Sequence, residues 1–438
     1  MKKLPGAALL LLILSSLWVC GGQAVKTEAA TLRRQNYEFA NARWFDGRKF
    51  ILRKFYTVGG LLTAKKPARV DSVFDLAGKY VVPPYGEAHN HNVEWTNEEA
   101  FARTKRMYLE AGIFYVKNPN NLPRARAPFL GKINIPTSID AVFASGGLTA
   151  SGGHPLGVVQ RNLARGGMTV KDAEGAFYFT IDNATDLNRK WATIRAGRPD
   201  FIKTYLQYSE EYAKRRDDES YLDWRGLDPS LLPAIVRRAH AAGLRVSTHV
   251  ETAIDFHHAL VAGVDEINHT PGFRPEKGDW TKFRDSSRYK ISAADARLAA
   301  RKRVVVVTTL ISAIDLALSE KEDERQVADA VRELLVHNLL VLKKHGVRIA
   351  IGSDSYRQTS LAEVLNLHRL KVFDNLTLLK MWCETTVATI FPQRRIGYLK
   401  EGYEASFLVL NADPLQDFAN VQKIDMRVKQ GEILSIEK

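Results

Sequence analysis

From residue 81 onward, helical stretches alternate with short β-branched runs, and this alternation most narrows what the chain can become. The clearest units pair Leu231 to Ala242 with Leu244-Arg-Val-Ser-Thr248, and Ala253 to Ala262 with Val264 to Asn268. Further along, Ala293 to Arg301 leads into Val304-Val-Val-Val-Thr-Thr309, and Gln326 to His345 into Val347-Arg-Ile-Ala-Ile351. Repetition of this kind builds parallel sheet. Gly243, Gly263 and Gly346 stand just past three of these helices, where a left-handed cap favours glycine. Earlier strands are expected at Lys79 to Val82, Ile113 to Lys117, Ile139 to Phe143 and Asp200 to Tyr205, bringing the count to eight. Eight parallel strands with outer helices predict an α/β fold, a (β/α)8 TIM barrel with its site at the carboxyl ends of the strands.

The flanks read differently. Residues 32–80 alternate apolar and polar positions around turns such as Asp46-Gly47 and Gly59-Gly60, with strand-like runs at Phe50-Ile-Leu52 and Val70 to Leu76. After a last helix near Leu376 to Ile390, the tail Ile396 to Ile436 returns to short strands with glycine turns. The expected organisation is therefore a barrel over residues 81–392, with a small β-sandwich domain assembled from residues 25–80 and 393–438. A chain of 438 residues is long enough for both, and its 45% hydrophobic and 26% charged composition is that of a folded protein.

Lys2 and Lys3 precede the apolar stretch Ala7 to Val19, and Gly22-Gln23-Ala24 follows at cleavage distance. This pattern predicts a signal peptide over residues 1–24 and a secreted or periplasmic destination. The stretch is too short for a comfortable membrane span. Lipid attachment through Cys20 is the alternative, but bulky Trp18-Val19 disfavours it. Cleavage would leave Cys383 as the one cysteine, so no disulfide could form within the chain even in an oxidising compartment. The net charge of +14 would fall to about +12 with loss of Lys2 and Lys3. Such a balance favours anionic surfaces or substrates; a plain solvated basic surface is the alternative. Basic runs with interleaved aromatics are missing, which argues against a nucleic-acid partner.

Six residues able to hold metal fall at or near the expected strand ends: His89, His91, Lys203, His249, His269 and Asp354. Residues two apart on a strand face the same way, so His89 and His91 can reach one cation. Neutral imidazoles suit zinc and its neighbours. Lys203 sits in the otherwise apolar ending Asp200-Phe-Ile-Lys-Thr-Tyr205, where an ammonium is costly to desolvate. Either carboxylation of its amine, making a ligand able to bridge two metals, or an ion pair with Asp200 or Asp354 would account for it. His249 and His269 end successive βα units, so adjacent strand ends would bring their rings together. Asp354 closes the set at the eighth strand, where it can ligate metal and accept a proton from water.

The order His-Xaa-His, Lys, His, His, Asp on a predicted barrel with a split β-domain resembles the amidohydrolase superfamily, in particular its binuclear imidazolonepropionase-like and prolidase-like branch. The similarity extends to Ile396-Gly-Tyr-Leu-Lys-Glu-Gly402 and Ala405 to Pro414, which look like that family's return into the sheet domain. The resemblance implies two divalent metal ions, most simply zinc. It places His89, His91 and Asp354 on one, His249 and His269 on the other, and a carboxylated Lys203 between them. It also implies attack on a carbonyl by a hydroxide bridging the metals, with Asp354 carrying the proton to the leaving group.

The sequence departs from that pattern in two places. Glu87 replaces an aspartate common two residues before the first histidine, and Glu251 stands where prolidase-like members often carry a substrate-contacting tyrosine. Ser151-Gly-Gly-His-Pro155 resembles a substrate-contacting loop of the branch, making His154 a candidate hydrogen-bond donor, with a structural loop histidine as the alternative. His257 and His258, adjacent on a helix, point apart and cannot chelate together. His345 is accounted for as a cation at a helix C-terminus. Arg274 to Tyr289 reads as either a lid or a solvated loop. The expected activity is hydrolysis of an amide, cyclic amide or dipeptide bond in a small molecule. Lactone or ester cleavage, or a barrel that binds without turnover, are the alternatives, and oligomeric state is left open.

Overall fold

A computed structural model describes residues 35–163 and 169–436; the expected signal peptide and Cys20 lie outside the described residues. Eight short parallel strands form the predicted barrel: β1 (Tyr85–Glu87), β2 (Ile113–Asn118), β3 (Asp140–Phe143), β4 (Ile202–Tyr205), β5 (Val246–His249), β6 (Glu266–Asn268), β7 (Val305–Val307) and β8 (Arg348–Ala350). β1, β2 and β3 pair in order, as do β4 through β8. Two junctions close the ring. Asp200 N donates to Phe143 O at 2.8 Å between β3 and β4, and Ala88 N to Ile351 O at 2.9 Å between β1 and β8. The chain after β3 also contributes Gly147–Thr149, which pairs with β4 and carries Tyr178–Thr180 on its outer side.

The expected helices are present, including Leu232–Ala241, Ala253–Ala262, Ala293–Lys302 and Arg325–Lys344. Gly243, Gly263 and Gly346 take φ of 72°, 86° and 68°, the left-handed geometry that their positions suggested. The first barrel strand differs from expectation. Tyr80–Val82 lies in the terminal sheet, between Tyr37–Phe45 and Phe407–Leu410, and β1 begins only at Tyr85. Pro83 and Pro84 explain the split: without N–H groups they cannot carry a strand ladder through, so one apolar run serves two sheets.

Both chain ends build one mixed sheet of eight strands. Its order is Glu432–Ile433, Ile424–Lys429, Phe407–Leu410, Tyr80–Val82, Tyr37–Phe45, Phe50–Val58 and Leu61–Thr63, with Ser72–Asp75 also beside Tyr37–Phe45. The sheet curls until Leu62 N reaches Tyr403 O and Ala405 N reaches Gly60 O, both at 2.8 Å. Phe407 packs edge-on against Phe39 and Trp44 at 4.9 and 5.1 Å, which ties the two segments by aromatic burial.

The barrel interior is polar along its axis. Lys117 Nζ meets Glu266 Oε1 at 2.8 Å, and Ser247 Oγ bonds both Glu266 and Asn268 at 2.9 and 2.8 Å. Thr389 Oγ1 donates to Glu266 Oε2 at 2.6 Å from below. Such groups are tolerable away from water because they satisfy one another. This column leads upward to Lys203. Among the described residues no helix is long and apolar enough to cross a membrane.

Candidate metal centre

All six ligand-type residues named by the sequence, together with His154, line one cavity of about 150 Å³ at the carboxyl ends of the strands. His89 and His91 follow β1, while Lys203 lies in β4 and His249 closes β5. His269 and Asp354 sit just past β6 and β8 with φ of 76° and 47°. Left-handed backbone at two non-glycine residues costs on the order of 1–3 kcal/mol each and persists only where surroundings enforce it. At Asp354 the enforcement is visible. Its N–H donates to His89 O at 2.8 Å, and a Cβ at Gly352 would stand 2.7 Å from His89 Cβ, so glycine alone lets the two loops touch.

Asp354 Oδ1 lies 3.2 Å from His91 Nε2 and 3.5 Å from His89 Nε2, and Oδ2 lies 4.0 Å from His269 Nδ1. The His249 and His269 ring centroids are 4.4 Å apart, and those of His89 and His269 are 4.8 Å apart. Burial pushes the His89 imidazole down to about 4 and holds His249 and His269 well below the usual histidine range. Those rings are neutral and keep a lone pair. Burial works against ionisation of Asp354, but His89, His91 and His269 outweigh it and hold its carboxyl well below the usual range.

Lys203 is buried and makes neither of the ion pairs considered from sequence. Its Nζ donates to Asn268 Oδ1 at 2.5 Å, while Asp200 is engaged by the Phe143 amide at 2.8 Å. Burial pushes its ammonium down to about 7. His154 Nδ1 bonds Asp223 Oδ1 at 3.0 Å, and its ring stacks on that of His249 at 5.2 Å. Glu87 survives as an outer support, accepting from Ser353 N at 2.9 Å and Ser353 Oγ at 2.8 Å, with burial raising its carboxyl to about 8.

Residues 224–434 match the sequence profile of the amidohydrolase family. This stretch belongs to that family. The barrel and its β-domain share the fold of solved structures at low identity. A prolidase complexed with N-methylphosphonate-L-proline is 17% identical, with TM-score 0.68, covering 92% of this chain and 100% of that one. A Xaa-Pro dipeptidase with bound methionine is 15% identical at TM-score 0.68 over the same shares. The A. niger ochratoxinase is 17% identical at TM-score 0.69, covering 92% of this chain and 96% of that one. No curated protein sequence matches the chain.

That family match makes the protein a hydrolase, as the sequence led one to expect, and the donor set here fits a divalent cation. One ligand atom each from His89, His91 and Asp354 falls within 4.8 Å of the others, and the combination of neutral nitrogen and carboxylate oxygen is what zinc-like ions take. Several residues of this site carried little or no signal in the sequence. Glu251 appeared only as a departure, yet it is fully buried and its Oε1 meets His249 Nε2 at 2.9 Å, Gln207 Nε2 at 3.0 Å and Arg274 Nε at 2.9 Å. Arg274 lines the cavity from the segment left open as lid or loop. That segment is packed, with Phe283 and Tyr289 buried and Glu276 paired to Arg215 at 3.1 Å. Thr309, whose Oγ1 is 2.6 Å from His269 Nδ1, and Asn268 were also missed. Asn268 directly precedes His269 and could have been suspected; Thr309 lies 40 residues away on the next strand end and carried no local signal. His257 and His258 do point apart, to Asp295 and Ser209 respectively.

Proposed function

We propose that this amidohydrolase is a metal-dependent enzyme cleaving a carbon–nitrogen bond in a small amide, with dipeptides and N-acyl amino acids as the best-fitting class. The observation that carries the reading is convergence: four imidazoles, a low-pKa carboxylate and a buried lysine from six places in the chain share one cavity. His89, His91 and Asp354 would hold one divalent ion and His249 and His269 a second, zinc being the simplest choice for these donors. Bound metal supplies Lewis-acid polarisation of a carbonyl and makes water acidic near neutral pH.

The side chains do the rest. With its pKa lowered to about 7, Lys203 has a substantial neutral fraction at neutral pH. Neutral Nζ adds to carbon dioxide, forming an N–C bond and releasing one proton to solvent. The N–H that remains keeps Asn268 Oδ1 as its acceptor, and the new carboxylate lies among the histidines. Asp354, ionised and open to the cavity, takes a proton from the attacking water at a carboxylate oxygen and returns it to the departing nitrogen. A carboxylate on His154 Nδ1 requires the proton there, which orients the ring and leaves Nε2 as an acceptor for a substrate N–H or hydroxyl while the ring is neutral, and as a donor to a substrate oxygen only when it is imidazolium. Arg274 and Arg161 add two guanidinium groups to a wall that also holds apolar Val158 and Phe177 and the Tyr356 ring. Such a lining suits a substrate with one carboxylate and one apolar group. The leader over residues 1–24 would deliver this activity to the periplasm or beyond.

The test is a purified-enzyme assay over dipeptides, N-acyl amino acids, uncharged amides and lactones, with elemental analysis of the same sample. Turnover of carboxylate-bearing amides with about two metals per chain is the expected result. Preference for lactones would overturn the substrate class, and bound metal without turnover of any of them would favour a binding barrel.

A further inference from the structure

The amino-terminal ends of β5 to β8 open onto a cleft of about 640 Å³, on the barrel face opposite the histidines, lined by Arg245, Lys302, Arg303 and Arg348. Arg245 directly precedes β5, Arg348 begins β8, and Lys302 with Arg303 ends the helix Ala293–Lys302. Three of the four are anchored on backbone carbonyls. Lys302 Nζ donates to Leu260 O at 2.7 Å, Arg245 Nη1 to Thr389 O at 2.9 Å, and Arg348 Nη2 to the Arg303 carbonyl. A cation at a helix C-terminus accounts for such an anchor singly. It does not account for four cations lining one cleft, because a carbonyl carries only a partial charge.

The two carboxylates of the cleft are already engaged. Asp265 Oδ2 takes His240 Nε2 at 2.9 Å and the Val246 amide at 2.8 Å, with its other oxygen 3.9 Å from Arg245 Nε. Glu384 Oε2 lies 3.8 Å from Lys380, on another side. Among the described residues Lys302, Arg303 and Arg348 form no ion pair. Burial first, then the charges of Arg245 and Arg303, push the Arg348 guanidinium below its usual range. Like charges gathered in a concavity repel one another and concentrate a positive field where counter-ions are drawn. The volume lies within the range of small-molecule sites, roughly 300–1,000 Å³.

We propose that this basal cleft binds a small polyanion of the phosphate class, held by the free edges of Arg303 and Arg348 and by Lys302. Guanidinium forks match paired phosphate oxygens, and the ammonium contributes a point charge. The cations line a cleft between strand ends rather than a flat or protruding face, which favours a free anion over a headgroup held in a membrane. The site is separate from the catalytic cavity, so it neither needs nor tests the hydrolytic reading.

Isothermal titration of the metal-loaded protein with inorganic pyrophosphate tests the idea. Micromolar binding is expected, weakened at least about tenfold in Arg303→Ala/Arg348→Ala. The control Arg124→Ala/Lys171→Ala, which removes two exposed charges elsewhere, should bind as wild type, and amide turnover should stay unchanged in both. Should the double variant unfold, Lys302→Met leaves the Arg348 contact intact and is expected to weaken binding several-fold. Equal loss in the control would reduce the effect to bulk charge and overturn the site. Undiminished affinity in the basal variants, with pyrophosphate held at the catalytic metals instead, would do the same. Vesicles containing phosphatidylglycerol that capture the protein while free pyrophosphate does not bind would replace the free anion with a headgroup.

Discussion

The two halves of the metal rim are prepared in different ways. On one half, His89, His91 and Asp354 face each other at 3.2 and 3.5 Å, with two loops locked together behind them by the Asp354 N–H and Gly352. On the other half, each imidazole is gripped from behind by a side chain of its own: His249 by Glu251 at 2.9 Å and His269 by Thr309 at 2.6 Å. The first half is positioned by backbone contacts and the second by side-chain hydrogen bonds. Substitutions on the two halves should therefore fail differently, the first in chemistry and the second in metal retention.

The largest effect is expected at Asp354. Asp354→Asn removes the proton carrier but leaves a ligand oxygen, so turnover should fall by about 10²–10⁴ while elemental analysis still finds most of the metal. Metal loss as severe as rate loss would contradict a division of labour at this residue. Lys203→Ala comes next and belongs to both halves. Metal content and turnover should drop together, by more than the roughly 10–100-fold that an outer partner costs, with partial recovery on adding a short carboxylic acid. Wild-type rates and full metal occupancy in Lys203→Ala would remove the bridge from the mechanism.

That contrast also explains what could be read from the sequence. Ligand-type residues stood out because each falls within or just past a short apolar run, and a barrel topology needs only that periodicity to place strand ends on one face. His249 and His269 could be paired by counting one helix and one strand between them. The supports could not. Glu251 and Thr309 act through contacts set by side-chain direction, and Arg274 arrives from an irregular segment without period. Lys203 shows the boundary clearly: its burial followed from apolar neighbours, but its acceptor, Asn268, depends on strand register between β4, β5 and β6. The misplaced first strand has the same origin, since an apolar run shows that sheet exists and does not say which sheet. Pro83-Pro84 was the available signal.

Glu251 offers the sharper test of the second half. A carboxylate only accepts, so its contact with His249 fixes the proton on Nε2 and presents the lone pair at Nδ1 to the cavity. Glu251→Leu should weaken metal binding at the His249 and His269 pair by about 10–100-fold while the first ion is retained. Glu251→Gln keeps an oxygen acceptor and should recover much of that loss. If the glutamine variant is as poor as the leucine, the charge opposite Arg274 matters and the tautomer does not.

Thr309 should matter least, for a reason specific to hydroxyls. Thr309 Oγ1 can either donate to or accept from His269 Nδ1, so it steadies the ring without choosing its tautomer. Val nearly matches Thr in shape, and Thr309→Val deletes this one hydrogen bond, worth a net of about 1 kcal/mol. The expected outcome is a metal affinity about fivefold lower, with turnover at saturating metal close to wild type. Competition titrations against a chelator, run in parallel on Thr309→Val and Glu251→Leu, would rank the two supports directly. A loss at Thr309 equal to that at Glu251 would mean that ring position rather than tautomer governs the second half, and the asymmetry between the two imidazoles would disappear.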